Sequence, residues 1–183
     1  MMNGRDDEMN SAEETQSFAL PQYQEIPDMG LYLKQVVIYI QQCVAPFENV
    51  KVTSSMVSNY VKHQLVVRPQ HKLYRRKQIA QLLFIVIAKR VLEQRHLKQA
   101  IRIQESTYNT AVAYNYFVQE LNNVTRYVFG YQKDLKKVGQ EHTQQKQMLR
   151  NLIMAFAYQE YLEYFFNHAW WKCFHQLVIK SKI

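Results

Sequence analysis

The chain has 183 residues, 48% of them hydrophobic, which is enough for one domain or for one small domain with a helical extension. Four glycines and four prolines are too few for a turn-rich β architecture. The formal net charge of +8 is unevenly spread: residues 1–28 hold seven acids and one base, Arg5, whereas residues 51–102 hold twelve bases and one acid, Glu93. Positive charge gathered in one block is the electrostatic footprint of a polyanion binder. The two cysteines, Cys43 and Cys173, lie far apart and suggest no disulfide framework, so a reducing compartment is expected. The acidic, polar start does not read as a secretory leader, and the apolar runs 82–88 and 152–158 fall well short of the roughly 20 residues of a membrane span. A cytoplasmic protein without membrane contact is the expectation.

In chain order, residues 1–22 are acidic and lack periodicity, so they are expected to form a flexible tail. Residues 31–44 read as a helix, with Leu33, Val36, Val37, Ile40 and Val44 at helical spacing and Asp28 placed as a cap. After a connection containing Pro46, Thr53 is positioned to cap a second helix running to about His63. On that helix Met56, Val57, Tyr60 and Val61 share one arc, while Ser55, Ser58, Asn59 and Lys62 share the opposite one. Tyr60 and Tyr74 are expected to pack into the core. Residues 65–74, with Pro69 and flanking bases, suit a short β-ribbon or wing.

A third helix is predicted over 76–92, with Ile79, Leu82, Leu83 and Val86 as its buried stripe, and a short fourth around Leu97, Ala100 and Ile101. A fifth runs over 110–129 and is ended by Gly130. Thr143 starts a long final helix reaching about Val178, which is apolar on two sides. One stripe is Tyr158, Leu162, Phe165, Ala169 and Cys173; the other gathers Leu149, Leu152, Phe156, Trp170, Phe174 and Val178. A helix apolar on two sides must be covered on two sides, by homodimerisation, by an aromatic effector, or by the chain's own core. The fold class is therefore mainly α: a winged helix-turn-helix domain over 23–105 followed by a C-terminal helical region over 106–183.

Two stretches carry a resemblance. Residues 26–40 read IPDMGLYLKQVVIYI, and residues 52–88 read VTSSMVSNYVKHQLVVRPQHKLYRRKQIAQLLFIVIA. Together they resemble a bacterial domain-of-unknown-function family, number 1836 in that series. The ordered pattern Thr53, Met56, Val57, Asn59, Tyr60, Val61, Lys62, Pro69, Lys72, Tyr74, Gln78, Ile79 carries the likeness. The second stretch is also similar to the MerR-type winged helix, which implies DNA binding by a helix and a wing. Three features depart from that pattern. Gln64 stands where a helix-ending glycine is expected, Arg75 stands where a Ser or Asp cap is expected, and the connection after the first helix is longer.

A helix that reads the major groove needs short polar side chains toward base edges and cations toward phosphates. Ser54, Ser55, Ser58, Asn59, Lys62 and His63 are the candidates on the second helix, with Asn suited to adenine. Arg68, His71 and Lys72 in the wing, with Arg75 and Arg76 at the next helix start, are candidates for phosphate or minor-groove contact. The expectation is a transcriptional regulator on duplex DNA, dimeric through its C-terminal helices. The alternative is a helical protein-protein interaction module whose basic surface meets an acidic partner; exposed apolar residues on the second helix would mark it. RNA binding fits less well, since the basic block lacks solvent-facing aromatics. No glycine-rich phosphate loop, nucleophile elbow or paired-carboxylate pattern appears, and neither Cys173 nor a carboxylate joins His168 and His175 on their shared helix face, so neither an enzyme nor a cofactor or metal site is expected.

Overall fold

A computed structural model describes residues 19–139 and 143–169 of the chain. The described residues form six α-helices: α1 (Leu33–Cys43), α2 (Ser54–Lys62), α3 (Arg76–Ala88), α4 (Gln94–Thr107), α5 (Thr110–Val128) and α6 (Gln144–Tyr164). A 3-10 turn, Tyr23–Glu25, precedes them, and a π-helical turn, Phe165–Ala169, extends α6. Two short strands, β1 (Leu31–Tyr32) and β2 (Leu73–Tyr74), pair antiparallel, with Leu31 opposite Tyr74 and Tyr32 opposite Leu73.

The helix expected from residue 31 thus begins two residues later, because Leu31 and Tyr32 serve as a strand. Gly30 makes this possible. Its φ is +86°, and a Cβ there would lie 3.2 Å from Leu73 Cβ, so both conformation and space call for glycine. Asp28 does not cap α1. The segment containing it lies instead at the start of α3, where Arg76 N–H donates to Asp28 Oδ1 at 3.4 Å. Arg75, the residue in the cap position, has its N–H satisfied by Gln78 Oε1 at 2.8 Å. A Ser or Asp at 75 is therefore dispensable: one carboxylate comes from a distant segment and one amide from the third helical residue.

α3 is the centre of the molecule. Residues Ile79–Leu83 and Ile85–Ala88 are all buried, so the expected stripe is instead a helix covered on nearly every side. It packs against α1, β2, α5 and α6. Phe84 meets Phe117 of α5 edge-to-face at 5.3 Å, and Phe47 meets Phe156 of α6 at 4.8 Å. One continuous core results, from Leu20 to Ala157. Leu20, inside the stretch read as a tail, is 2% exposed.

Where apolar spacing was the guide, element ends differ. α3 stops at Ala88, and Leu92 N–H closes its last turn on Ala88 O at 2.8 Å. α4 is longer than its three apolar residues suggested, running fourteen residues because its outer face is polar and solvated. α5 follows the expected bounds, with Asn109 Oδ1 accepting from Val112 N–H at 2.9 Å and Gly130 (φ +79°) ending it. Thr143 starts α6 as expected, accepting from Lys146 N–H at 3.3 Å. The extension to Val178, with Trp170, Trp171, Cys173, Phe174 and His175, lies outside the described residues. Among the described residues no helix is long and apolar enough to cross a membrane. Cys43 is partly buried beside Tyr39, and burial pushes its thiol up to about 11, so it is a neutral packing group at pH 7.

Candidate nucleic-acid interface

α2 is held from three sides. Thr53 Oγ1 accepts from Met56 N–H at 3.2 Å, capping the helix as expected. Gln41 of α1 stitches the long connection: its Oε1 accepts from Val52 N–H at 3.1 Å and its Nε2 donates to Val50 O at 3.3 Å. Phe47, Val50 and Val52 of that connection are buried, so the extra length is packed rather than loose. Val57 and Tyr60 bury the inner arc of α2, and Tyr74 is buried as well.

At its C-terminus α2 ends without glycine yet with the geometry that glycine usually supplies. Gln64 has φ +59°; its N–H donates to Val61 O at 3.0 Å and Leu65 N–H donates to Tyr60 O at 2.9 Å. These two bonds are the Schellman pattern, which satisfies the last carbonyls of the helix. The chain then reverses at residues 70–73, where Leu73 N–H donates to Gln70 O at 2.8 Å. Both central residues, His71 (φ +50°) and Lys72 (φ +64°), are left-handed, the signature of a type I′ turn. The 65–74 segment forms less sheet than a full ribbon: β2 pairs with β1, and Gln70 makes a single bridge to Leu73.

The outer arc of α2 is as the sequence suggested. Ser55, Ser58, Asn59, Lys62 and His63 are exposed, while Ser54 is half-buried at the first helical position. The Ser55 hydroxyl lies 2.9 Å from Thr53 Oγ1, so it is shared with the cap. Arg68, His71, Lys72 and Arg75 are exposed. Arg76 differs. Its Nε donates to Ile26 O at 2.8 Å, one guanidinium nitrogen donates to Gln24 Oε1 at 3.2 Å and lies 3.9 Å from Asp28, and the group sits over the Tyr23 ring at 5.9 Å. Arg76 therefore anchors the N-terminal segment, and its guanidinium is committed inside the fold. Arg75 also reaches Asp28 O, at 3.4 Å, but stays exposed.

The tertiary fold adds residues that the sequence reading left out. Lys62 and Arg68 line one side of a groove whose other side is α4, with Lys98 and Arg102. Glu105 contributes a carboxylate to the same groove, and its Oε1 accepts from Gln81 Nε2 at 3.3 Å. Lys98 and Arg102 belong to the basic block seen in the sequence, but only the placement of α4 brings them beside Lys62. His71 and Lys72 lie at the 70–73 turn, outside the groove's lining. Four cations in one concave surface attract an anion far more strongly than four scattered ones.

His168 provides a further correction. A carboxylate does reach it: Glu48, from the connection after α1, lies 2.8 Å from His168 Nε2. The pair is partly exposed and ties the end of the α6 extension to the body of the fold.

A model of a protein family, described as a domain of unknown function (DUF1836), matches residues 21–117, more than half of the chain. The chain belongs to the DUF1836 family. The matched region takes in the 3-10 turn, both strands, α1 to α4 and the first turns of α5, and so contains every residue of the exposed face and groove just described. No curated protein and no solved structure matches the chain.

Proposed function

We propose that this DUF1836 protein binds duplex DNA as a winged helix-turn-helix, with α2 in the major groove and the 65–74 segment as the wing. The observation that supports this most is the exposed arc of α2: Ser55, Ser58, Asn59 and Lys62 are all solvent-facing and none is apolar. Lys62 continues into the cationic groove of Arg68, Lys98 and Arg102, which offers a track for a phosphate backbone. His71 and Lys72 at the turn, with Arg75, are the further exposed cationic or polar side chains of the wing. A role in transcriptional regulation goes with this reading.

Two copies would read two half-sites. Tyr158 and Leu162 of the expected stripe on α6, with Phe166 of the π-helical turn exposed where Phe165 was expected, support pairing: the three are 46%, 52% and 59% exposed, and Phe165 is half-buried. The opposite stripe, Leu152 and Phe156, is buried in the core. A docking surface for an acidic protein is the second reading, favoured by Val67, an apolar residue of the wing segment that is 56% exposed.

Fluorescence anisotropy with random-sequence duplex DNA across a salt series tests the proposal. Wild type is expected to bind with a steep negative slope of log affinity against log salt, and Lys62→Ala/Arg68→Ala/Lys98→Ala is expected to lose roughly one unit of slope per phosphate contact removed. Absence of binding at low salt would overturn it and favour the acidic partner.

A further inference from the structure

The groove between the end of α2 and α4 gathers positive charge that the fold does not neutralise. Lys62, Arg68, Lys98 and Arg102 line it against a single carboxylate, Glu105, whose Oε1 is already taken by Gln81 Nε2 at 3.3 Å. Elsewhere in the fold three arginines are paired: Arg76 with Asp28, Arg90 with Glu160 and Arg150 with Glu120. Among the described residues, no carboxylate lies within ion-pair distance of any of the four groove cations. Like charges held on facing walls repel one another, so an anionic occupant is favoured by all four at once.

The chain carries the complement to this groove. Residues 1–18 hold five acids, Asp6, Asp7, Glu8, Glu13 and Glu14, against one base, Arg5. They lie outside the described residues, but the point from which they depart is fixed. Leu20 is buried in the core, and Tyr23 N–H donates to Asn115 Oδ1 at 2.8 Å. Asn115 stands near the start of α5, and Arg102 stands on α4, the helix just before it. The path along the chain between them, two short helical arms and one bend, is at most about 26 Å. A segment of this length spans up to roughly 60 Å when extended, which brings the run Asp6–Glu8 within reach of the groove.

We infer that the acidic segment 1–18 docks in this groove, where its carboxylates accept hydrogen bonds from Lys62, Arg68, Lys98 and Arg102. The docking stands whether or not α2 reads DNA. Its consequence rests on that reading: the segment competes with duplex DNA for the same four cations. Charge-assisted pairs to guanidinium groups give the contact its strength, and the covalent tether supplies an effective concentration of the order of millimolar. A contact too weak to form between separate molecules is therefore populated within one chain, and DNA must displace it to bind.

The test of docking is zero-length carbodiimide cross-linking of the full chain at low salt, without DNA, read by peptide mass spectrometry. Links from Asp6, Asp7, Glu8, Glu13 or Glu14 to Lys62 or Lys98 are expected within one chain, and are expected to disappear at about 0.5 M salt. No link to Lys62 or Lys98, or links spread evenly over exposed lysines outside the groove such as Lys34 and Lys51, would overturn the inference. So would links found only between chains in a mixture of ¹⁴N and ¹⁵N protein. The competition is read by DNA anisotropy on the full chain carrying Asp6→Asn, Asp7→Asn, Glu8→Gln, Glu13→Gln and Glu14→Gln. This variant is expected to bind random-sequence duplex about fivefold more tightly than wild type at low salt. The gain is expected to vanish when Lys62→Ala and Lys98→Ala are added; an equal gain there would trace to net charge alone and overturn the competition. Failure of the DNA-binding proposal is distinguishable, because neither form would then bind DNA while the intrachain links remain.

Discussion

Among the described residues, three that are not glycine carry a positive φ, all between the end of α2 and β2. An L-residue in this conformation gives up roughly 1–2 kcal/mol. At Gln64 the requirement is purely one of backbone, since the Schellman bonds use only main-chain atoms. Gln64→Gly is therefore expected to raise stability by about 1 kcal/mol in urea denaturation, with the DNA salt slope unchanged. His71 and Lys72 are different. Glycine or asparagine would suit both central turn positions better, so the strain is accounted for if their side chains are needed at the tip, as the DNA-binding proposal requires.

Glu160 gives a pH prediction at the same scale. It is 4% exposed, and burial raises its carboxyl above the ordinary 4.5, with Arg90 Nε at 3.3 Å opposing the shift. A raised folded-state pKa means that the folded chain holds the proton more tightly than the unfolded one. The resulting stability is fully present below about pH 4.5 and is lost as pH rises through the raised value. The stability of wild type relative to Glu160→Gln should therefore fall from pH 4 to pH 7 in parallel chemical denaturations. A flat difference would mean that Arg90 cancels the burial.

Among the elements, α3 shows how a helix start can be supplied from a distance. Asp28 accepts from the first amide of α3 while also facing Arg76, so one carboxylate serves the helix end, the local dipole and the N-terminal segment. Asp28→Ala is expected to cost about 1 kcal/mol and to speed amide exchange at residues 76–78 relative to the middle of α3. The α5–α6 pair depends on a similar device on a larger loop. Asn123 donates to Lys136 O at 2.7 Å and accepts from Lys136 N–H at 3.2 Å, and Arg150 of α6 pairs with the fully buried Glu120 of α5 while reaching Lys136 O at 3.0 Å. Arg150→Ala would leave Glu120 a buried charge without its cation, and a loss of about 3 kcal/mol is expected from thermal or chemical unfolding.

For the whole molecule, the question is what the outer stripe of α6 meets. If two copies pair through Tyr158, Leu162 and Phe166, Leu162→Glu should leave the helical circular-dichroism signal intact and move the sedimentation coefficient of the dimer to that of a monomer. The same variant should weaken binding to a DNA carrying two half-sites more than to one carrying a single half-site. A wild-type chain that sediments as a monomer at micromolar concentration would remove dimerisation from the proposal.

Much of the fold was legible because its signals are local. Thr53, Thr143 and Gly130 mark helix ends through bonds to residues three or four positions away, and the arcs of α2 follow from helical periodicity alone. The exposed candidates Ser55, Ser58, Asn59 and Lys62 were readable for the same reason. Other features depended on segments distant in the chain. Leu31 and Tyr32 carry helix-compatible side chains, and only β2 across Gly30 makes them a strand. Asp28 sits at cap distance from α1 in sequence yet at the start of α3 in space, and this is also why Arg76 turns inward rather than toward a phosphate. Lys98 and Arg102 become part of a groove only when α4 packs beside the end of α2, and Glu120 meets Arg150 only when α6 packs on α5. By itself the sequence determined where helices begin and which faces they bury, because those follow from bonds and periods spanning a few residues. The tertiary structure alone decided which charges converge and which buried charges are paired, because these depend on contacts between residues tens of positions apart.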